Sequence, residues 1–181
     1  MNVDVFENEE VVVVIGQGSV ILIGMPGAGK STIGVLLAKE TARDFVDTDV
    51  LIQLREGKTL QDILDESDYL NLRRIEEEVL LSVDLSHHVI ATGGSAVYSA
   101  WGMKKLKSLG PVVYLHADLD ELRRRIHNFD TRGIASLPGQ SLQDLFAERE
   151  ALYKQYADLI IDCNGKNQEQ IITELLAKLT K

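Results

Sequence analysis

The chain has no long apolar run. Nothing in its 181 residues approaches the roughly 18 consecutive apolar positions of a membrane-spanning helix, so no such helix is expected. One cysteine, Cys163, excludes an intrachain disulfide and suits a reducing, cytoplasmic setting. No histidine or cysteine cluster has the spacing of a metal site. Basic residues are in short supply, 19 against 28 acidic ones for a net charge of −9. That balance argues against nucleic acid or a membrane surface as partner, although a local group of bases would still serve a small anion. The first ten residues carry four acids and no base, the reverse of a secretory leader. No repeat, low-complexity tract or linker interrupts the chain. The expectation is one unit over 1–181, working as a monomer on a small molecule.

What is present alternates between strand and helix patterns. Apolar, β-branched runs at Val11–Ile15 and Val20–Ile23 flank the turn residues Gly16 to Ser19, which read as a hairpin. Further strands are predicted at Phe45–Asp47, His88–Ala91, Val112–Leu115 and Leu159–Asp162. Helices are predicted at Ser31–Glu40, Thr59–Glu66, Leu70–Leu81, Ala100–Ser108, Leu119–Ile126, Leu142–Ala157 and Gln168–Thr180. Residues 127–139 are polar and punctuated by Gly and Pro, and read as a mobile loop. The fold class is α/β: a central, mostly parallel sheet with helices on both faces, in three layers.

The strongest chemical signal runs from Gly24 to Thr32, GMPGAGKST, a full match to G-x-x-x-x-G-K-[ST] between a strand and a helix. Its glycines let successive N–H groups turn inward and phosphate oxygens come close. Gly27, Ala28 and Gly29 form the cradle, the helix start adds its positive end, and Thr32 closes the motif. Lys30 is placed to reach the β- and γ-phosphates and Ser31 to ligate Mg²⁺. This fits ATP with Mg²⁺. A dinucleotide fingerprint at Gly16-x-Gly18 fails, because Ile21 stands where the third glycine should be and no helix follows.

Asp47 and Asp49 lie at a strand's carboxyl end, where ligands collect in open α/β sheets. Side chains two apart on a strand share a face, so one of these acids could hold Mg²⁺ through water and the other orient an attacking hydroxyl. Thr92-Gly93-Gly94-Ser95 also follows a strand and could offer backbone N–H groups. Arg73 and Arg74 share their helix with Glu76, Glu77 and Glu78 and locally read as a solvated face, as does Arg149 between Glu148 and Glu150. Arg123, Arg124, Arg125 and Arg132 flank the loop at 127–139, where positive charge could close over a transferring phosphoryl group. Trp101 is expected to pack on the sheet.

Taken in order, GMPGAGKST, FVDTDVLI, LRRIEEEVL, ATGGSAV and ERxALYKQYAD resemble the shikimate kinase family of small P-loop kinases, from about Ile21 to the C-terminus. The resemblance implies a P-loop kinase fold with a lid over 127–139, and transfer of the ATP γ-phosphoryl group to shikimate. It implies catalytic roles for Lys30, Asp49 and Arg132, and places Asp47 with Ser31 at the metal. It also implies nucleotide contacts from Arg125 and Arg132, and substrate contacts from Asp49, Arg73, Gly93, Gly94, Ser95 and Arg149. This sequence departs from the family in its added N-terminal hairpin strand and at four places within the shared stretch. Ser95 replaces the third glycine of a Gly-Gly-Gly turn and would be strained if that position needs φ > 0. Gly133 replaces a lid proline, which should loosen the lid. Leu72 replaces an aromatic residue, and Asp68-Tyr69 replaces a Gly-Glu pair. A related kinase for another polyol acid, or a nucleotide-binding regulator without catalysis, are the alternatives these departures leave.

Overall fold

The computed structural model describes residues 13–14, 16, 18–126 and 133–180, the side chains of 13, 14 and 180 excepted. Its centre is β2 (Val20–Ile23), four apolar residues all buried. Such an uninterrupted apolar run is what a strand covered on both faces requires. Four more strands flank it: β3 (Asp44–Asp47), β4 (His88–Ala91), β5 (Val112–His116) and β6 (Leu159–Asp162). They form one parallel sheet in the order β3-β4-β2-β5-β6. Ile21 sits opposite Ile90 on one side and Val112 on the other. The chain order reverses beside β2, so the crevice at the carboxyl ends of β2, β3 and β4 is the natural ligand position.

The helices are α1 (Lys30–Thr41), α2 (Thr48–Glu56), α3 (Leu60–Glu66), α4 (Tyr69–Ser82), α5 (Ala100–Leu109), α6 (Leu119–Arg125), α7 (Leu142–Tyr156) and α8 (Gln168–Lys178). α1 packs against β3, β4 and α8, while α5 and α7 pack against β2 and β5 with α4 beside α5. The predicted three-layer architecture is therefore present. A large apolar core around the sheet is joined by a smaller one, in which Ile52, Ile63, Leu72, Ile75, Val79 and Ala135 pack beneath α2, α3 and α4.

Capping separates α1 from the other helices. Asp47, Thr59, Asp68, Ser99, Asp118, Ser141 and Asn167 each accept a backbone N–H at the start of α2 through α8 in turn. α1 begins instead after Gly29 (φ 98°), with no side-chain cap and no acid in its first turn. The first N–H groups of a helix have no intrahelical partner, and in α1 the protein leaves them unserved by side chains.

The structure corrects three expectations. The N-terminal segment does not form a hairpin. Val13–Val14 (β1) runs parallel to Leu179–Thr180 (β7) in a separate two-stranded sheet. Both edges of β2 are taken by β4 and β5, so no edge is left for a hairpin partner. Trp101 is 66% exposed on the outer side of α5, with the Lys104 ammonium 5.3 Å from its ring centre, and does not pack on the sheet. Within the segment expected to be a loose lid, residues 127–132 lie outside the described residues. Residues 133–135 are held down, with Ala135 3% exposed in the smaller core, while 137–139 are exposed. Gly133 has φ 68° and donates its N–H to Gln61 Oε1 at 2.9 Å. Proline, fixed near −65° and lacking an N–H, could do neither.

Candidate active site

A cleft of about 800 Å³ opens at the carboxyl edge of the sheet. One end is the loop from Pro26 to Ile33, and the other is made by Asp49, Ile52, Leu72, Glu76, Gly94, Ser95, Ala135 and Arg149. The predicted phosphate cradle and the predicted acceptor side thus face each other in a single cavity.

Glycine geometry shapes the cradle. Gly24 has φ 146°, and a Cβ there would stand 2.7 Å from the Leu115 carbonyl oxygen. Gly29 at φ 98° turns the chain into α1. Lys30, the first residue of that helix, is buried. Its ammonium donates to the carbonyls of Gly24 (2.7 Å) and Met25 (2.9 Å), folding back over the loop. Arg125 borders the same end. It donates to Glu121 Oε1 at 2.7 Å, to the Ala28 carbonyl at 3.3 Å and to the Cys163 carbonyl at 3.5 Å. Lys166, Asn167, Gln168 and Glu169 at the start of α8 complete this wall. The sequence reading treated that stretch only as the final helix. Cys163 itself is buried in the main apolar core, and desolvation pushes its thiol up to about 11, which leaves little reactive thiolate.

Asp47 and Asp49 do not share a strand face. β3 ends at Asp47, which becomes the cap of α2 and accepts the Asp49 N–H at 2.9 Å. Asp49 lies in the first helical turn, and there adjacent positions diverge by about 100°. Asp47 turns to the cradle and accepts a hydrogen bond from Ser31 Oγ at 2.5 Å, while Asp49 lines the acceptor end. A hydroxyl and a carboxylate paired beside a phosphate loop are hard oxygen donors of the kind Mg²⁺ takes when phosphate and water supply the remaining ligands. The residues present therefore fit that ion.

The two arginines converge, although they do not play equal parts. Arg149 is 1% exposed and lines the cleft. It donates to the Ala135 carbonyl at 2.6 Å and to Tyr98 Oη at 3.3 Å. Arg73 reaches the same carbonyl at 3.4 Å. Its guanidinium lies 3.5 Å from the Tyr98 ring centre and 5.0 Å from that of Tyr69. Arg73 is not among the residues lining the cleft. The Asp68-Tyr69 departure now has a physical reading: Asp68 caps α4 and Tyr69 supports Arg73. Gly94 lines the cleft, and its carbonyl accepts from Tyr153 Oη at 2.6 Å. Gly93 spends its amide on Thr48 Oγ1 at 3.1 Å, and is a glycine because a Cβ there would meet Glu76 Oε1 at 2.3 Å and Asp49 Oδ1 at 2.6 Å. Ser95 has φ −93°, so the expected strain is absent. Arg132 lies outside the described residues.

Glu76 is the residue the sequence reading missed. It is not part of a solvated face but 2% exposed, with Oε2 accepting from Ser95 Oγ at 2.5 Å. Burial and the charge of Asp49 push its carboxyl up to about 7, against the opposing pull of the Ser95 hydroxyl, Arg149 and Arg73. The signal was there: Glu76 lies four residues after Leu72, three before Val79 and four before Leu80, all buried on one stripe of α4. A carboxyl raised in this way keeps its proton in the folded state at pH values where the unfolded chain has lost it. Its contribution to stability is therefore greatest below its ordinary value of 4.5 and falls as pH rises to about 7. Glu76→Gln should flatten the fall in unfolding free energy, read from urea titrations, between about pH 4.5 and 7, by up to roughly 3 kcal/mol. An unchanged slope would show that Glu76 ionises in the fold as it does in water.

Comparison with known proteins settles the family. The shikimate kinase family model matches residues 26–180. This chain belongs to the shikimate kinase family. A shikimate kinase of Pseudomonas aeruginosa (strain LESB58) is 37% identical over 166 residues, covering 90% of this chain and 96% of that one. The shikimate kinase of Pseudomonas savastanoi pv. phaseolicola is 35% identical over the same lengths. Among solved structures, the Acinetobacter baumannii shikimate kinase in complex with shikimate superposes with a TM-score of 0.79 at 31% identity, covering 89% of this chain and 92% of that one. Thymidylate kinase from Candida albicans, at 17% identity and a TM-score of 0.55, shares the fold. In this chain Ser95 follows Gly93 and Gly94 and is tied to the buried Glu76. Among the described residues, no helix is long and apolar enough to cross a membrane.

Proposed function

We propose that this chain transfers the γ-phosphoryl group of ATP to a ring hydroxyl of shikimate, giving ADP and shikimate 3-phosphate. The observation that carries the reading is the two-ended cleft: an uncapped helix start and Lys30 at one end, Asp49 and the buried Arg149 at the other. ATP lies with its phosphates on Gly27, Ala28, Gly29, Lys30, Ser31 and Thr32, and with its base toward Arg125. Ser31 and Asp47 would hold Mg²⁺, which neutralises phosphate charge when bound.

Arg149, with Arg73 behind it, takes the shikimate carboxylate in the bidentate manner that a guanidinium fork allows. Gly94 and Ser95 form the floor. Asp49 accepts the hydrogen bond of the attacking hydroxyl and aligns its oxygen on the γ-phosphorus. As the new P–O bond forms, the hydroxyl proton passes to Asp49 and on to solvent, the bond from the γ-phosphorus to the bridging oxygen breaks and ADP leaves. Lys30 stabilises charge on the transferring group, with Arg132 assigned the same role from the lid on the strength of the family resemblance.

A coupled assay for ADP release tests the reading. Shikimate should raise the rate well above the ATPase background, and a wild-type protein with no such increase would overturn it.

A further inference from the structure

Ser95 lines the acceptor end of the cleft at a place where the family resemblance expects a glycine, so that resemblance says nothing of what its side chain does. Its backbone needs no glycine (φ −93°, ψ −3°). The side chain is buried, and its hydroxyl donates to Glu76 Oε2. The other carboxyl oxygen, Glu76 Oε1, is buried without a hydrogen-bond partner. That oxygen and Asp49 Oδ1 lie 2.3 and 2.6 Å from one point above the Gly93 Cα, so both crowd the bare face of the turn. Glu76, Asp49, Ser95 and Arg149 all line the same cleft. Among the described residues, the charged and titratable groups acting on Glu76 are Asp49 from α2, Arg73 from α4 itself and Arg149 from α7, and the buried Tyr153 of α7 feels its charge.

We propose that Ser95 is a positioning residue: it pins Glu76 so that its second oxygen stands in the acceptor pocket beside Asp49, and so makes binding of a carboxylated substrate proton-linked. The inference rests on the shikimate reading above. A substrate carboxylate on Arg149 adds negative charge close to Asp49 and Glu76, and occupies the guanidinium whose field had favoured ionised Glu76. Both effects raise the proton affinity of Glu76. With its carboxyl already near neutrality, the free protein holds Glu76 partly ionised at pH 7, and the complex holds it protonated. One proton moves from solvent onto Glu76, and no other bond changes. The Ser95 hydroxyl opposes protonation by favouring the carboxylate. Without it, Glu76 is already protonated before substrate arrives.

Two measurements test this. Calorimetric titration of the wild-type protein with shikimate at pH 7, in buffers of different ionisation enthalpy, should show uptake of a fraction of a proton per substrate bound. KM for shikimate should rise through neutral pH as Glu76 ionises. In Ser95→Gly and Ser95→Ala that rise should move up by about one pH unit, with proton uptake at pH 7 largely lost and kcat changed less than KM. Ser95→Thr, which keeps a hydroxyl, should retain the wild-type profile. Wild-type turnover without proton uptake would overturn the inference. So would Gly and Ala variants whose profiles superimpose on the wild type, or a Thr variant displaced as far as they are. Absence of shikimate turnover in the wild-type protein would instead remove the functional reading itself.

Discussion

Lys30→Ala should lower kcat by about 10²- to 10³-fold, the loss that follows removal of one preorganised charge donor from a transition state. The ammonium now folds onto the carbonyls of Gly24 and Met25. That is the place from which a side chain at the start of α1 can swing to phosphate oxygens lying on the same loop. The lysine is buried, at 8% exposure, and not on the solvated loop that the motif alone suggests. Its removal therefore also leaves two loop carbonyls short of a donor, at about 1 kcal/mol each. Circular dichroism and a thermal melt should show a folded protein that is modestly destabilised. Steady-state rates at saturating ATP separate the two effects, and wild-type kcat in Lys30→Ala would remove Lys30 from the chemistry.

Arg149→Ala should raise KM for shikimate by about 10²-fold or more, since truncating one partner of a buried, hydrogen-bonded charge pair costs about 2–5 kcal/mol. Arg149 is fully enclosed and holds the Ala135 carbonyl and Tyr98 Oη. The variant therefore loses the carboxylate site and the anchor of residues 133–135 together. It also deprives Glu76 of a favourable charge. Arg149→Lys keeps the charge on a single ammonium, which cannot reproduce the planar fork. It should recover stability better than affinity. KM for ATP should hardly move, because the nucleotide end of the cleft is built from other residues. Equal effects on both substrates would place Arg149 in the scaffold alone.

The features legible in the sequence were those encoded locally. The β2 run, the glycine loop and the start of α1 are contiguous, so one window of sequence contains both pattern and chemistry. The same holds for Thr59 and its capping box with Asp62. Long-range geometry was not legible in this way. Nothing near Val13 announces that its partner is Leu179. Asp47 and Asp49 were read as strand neighbours because α2, which begins at Thr48 and buries only Thr48 and Ile52, was not predicted. Glu76 was hidden by company: in a run of three glutamates, composition suggests solvent, and only its phase against Leu72 and Val79 reveals the core side of α4. The roles of Arg73 and Arg149 needed the fold, because the carbonyl that gathers them belongs to Ala135, 62 residues from one and 14 from the other.

The missing cap of α1 has a consequence for the protein's stability. The other helices carry their own side-chain caps, whereas the first N–H groups of α1 are left for the nucleotide phosphates that the proposed function places on the loop. A ligand that binds only the folded state contributes RT ln(1 + [L]/Kd), about 2.7 kcal/mol at a hundredfold excess over Kd. That is a large share of a typical small domain's total stability. On the proposed function, bound nucleotide would thus stabilise the fold as well as supply the phosphoryl group. Protein stripped of nucleotide should therefore melt at a lower temperature than protein with ADP bound, by an amount that grows with ADP concentration.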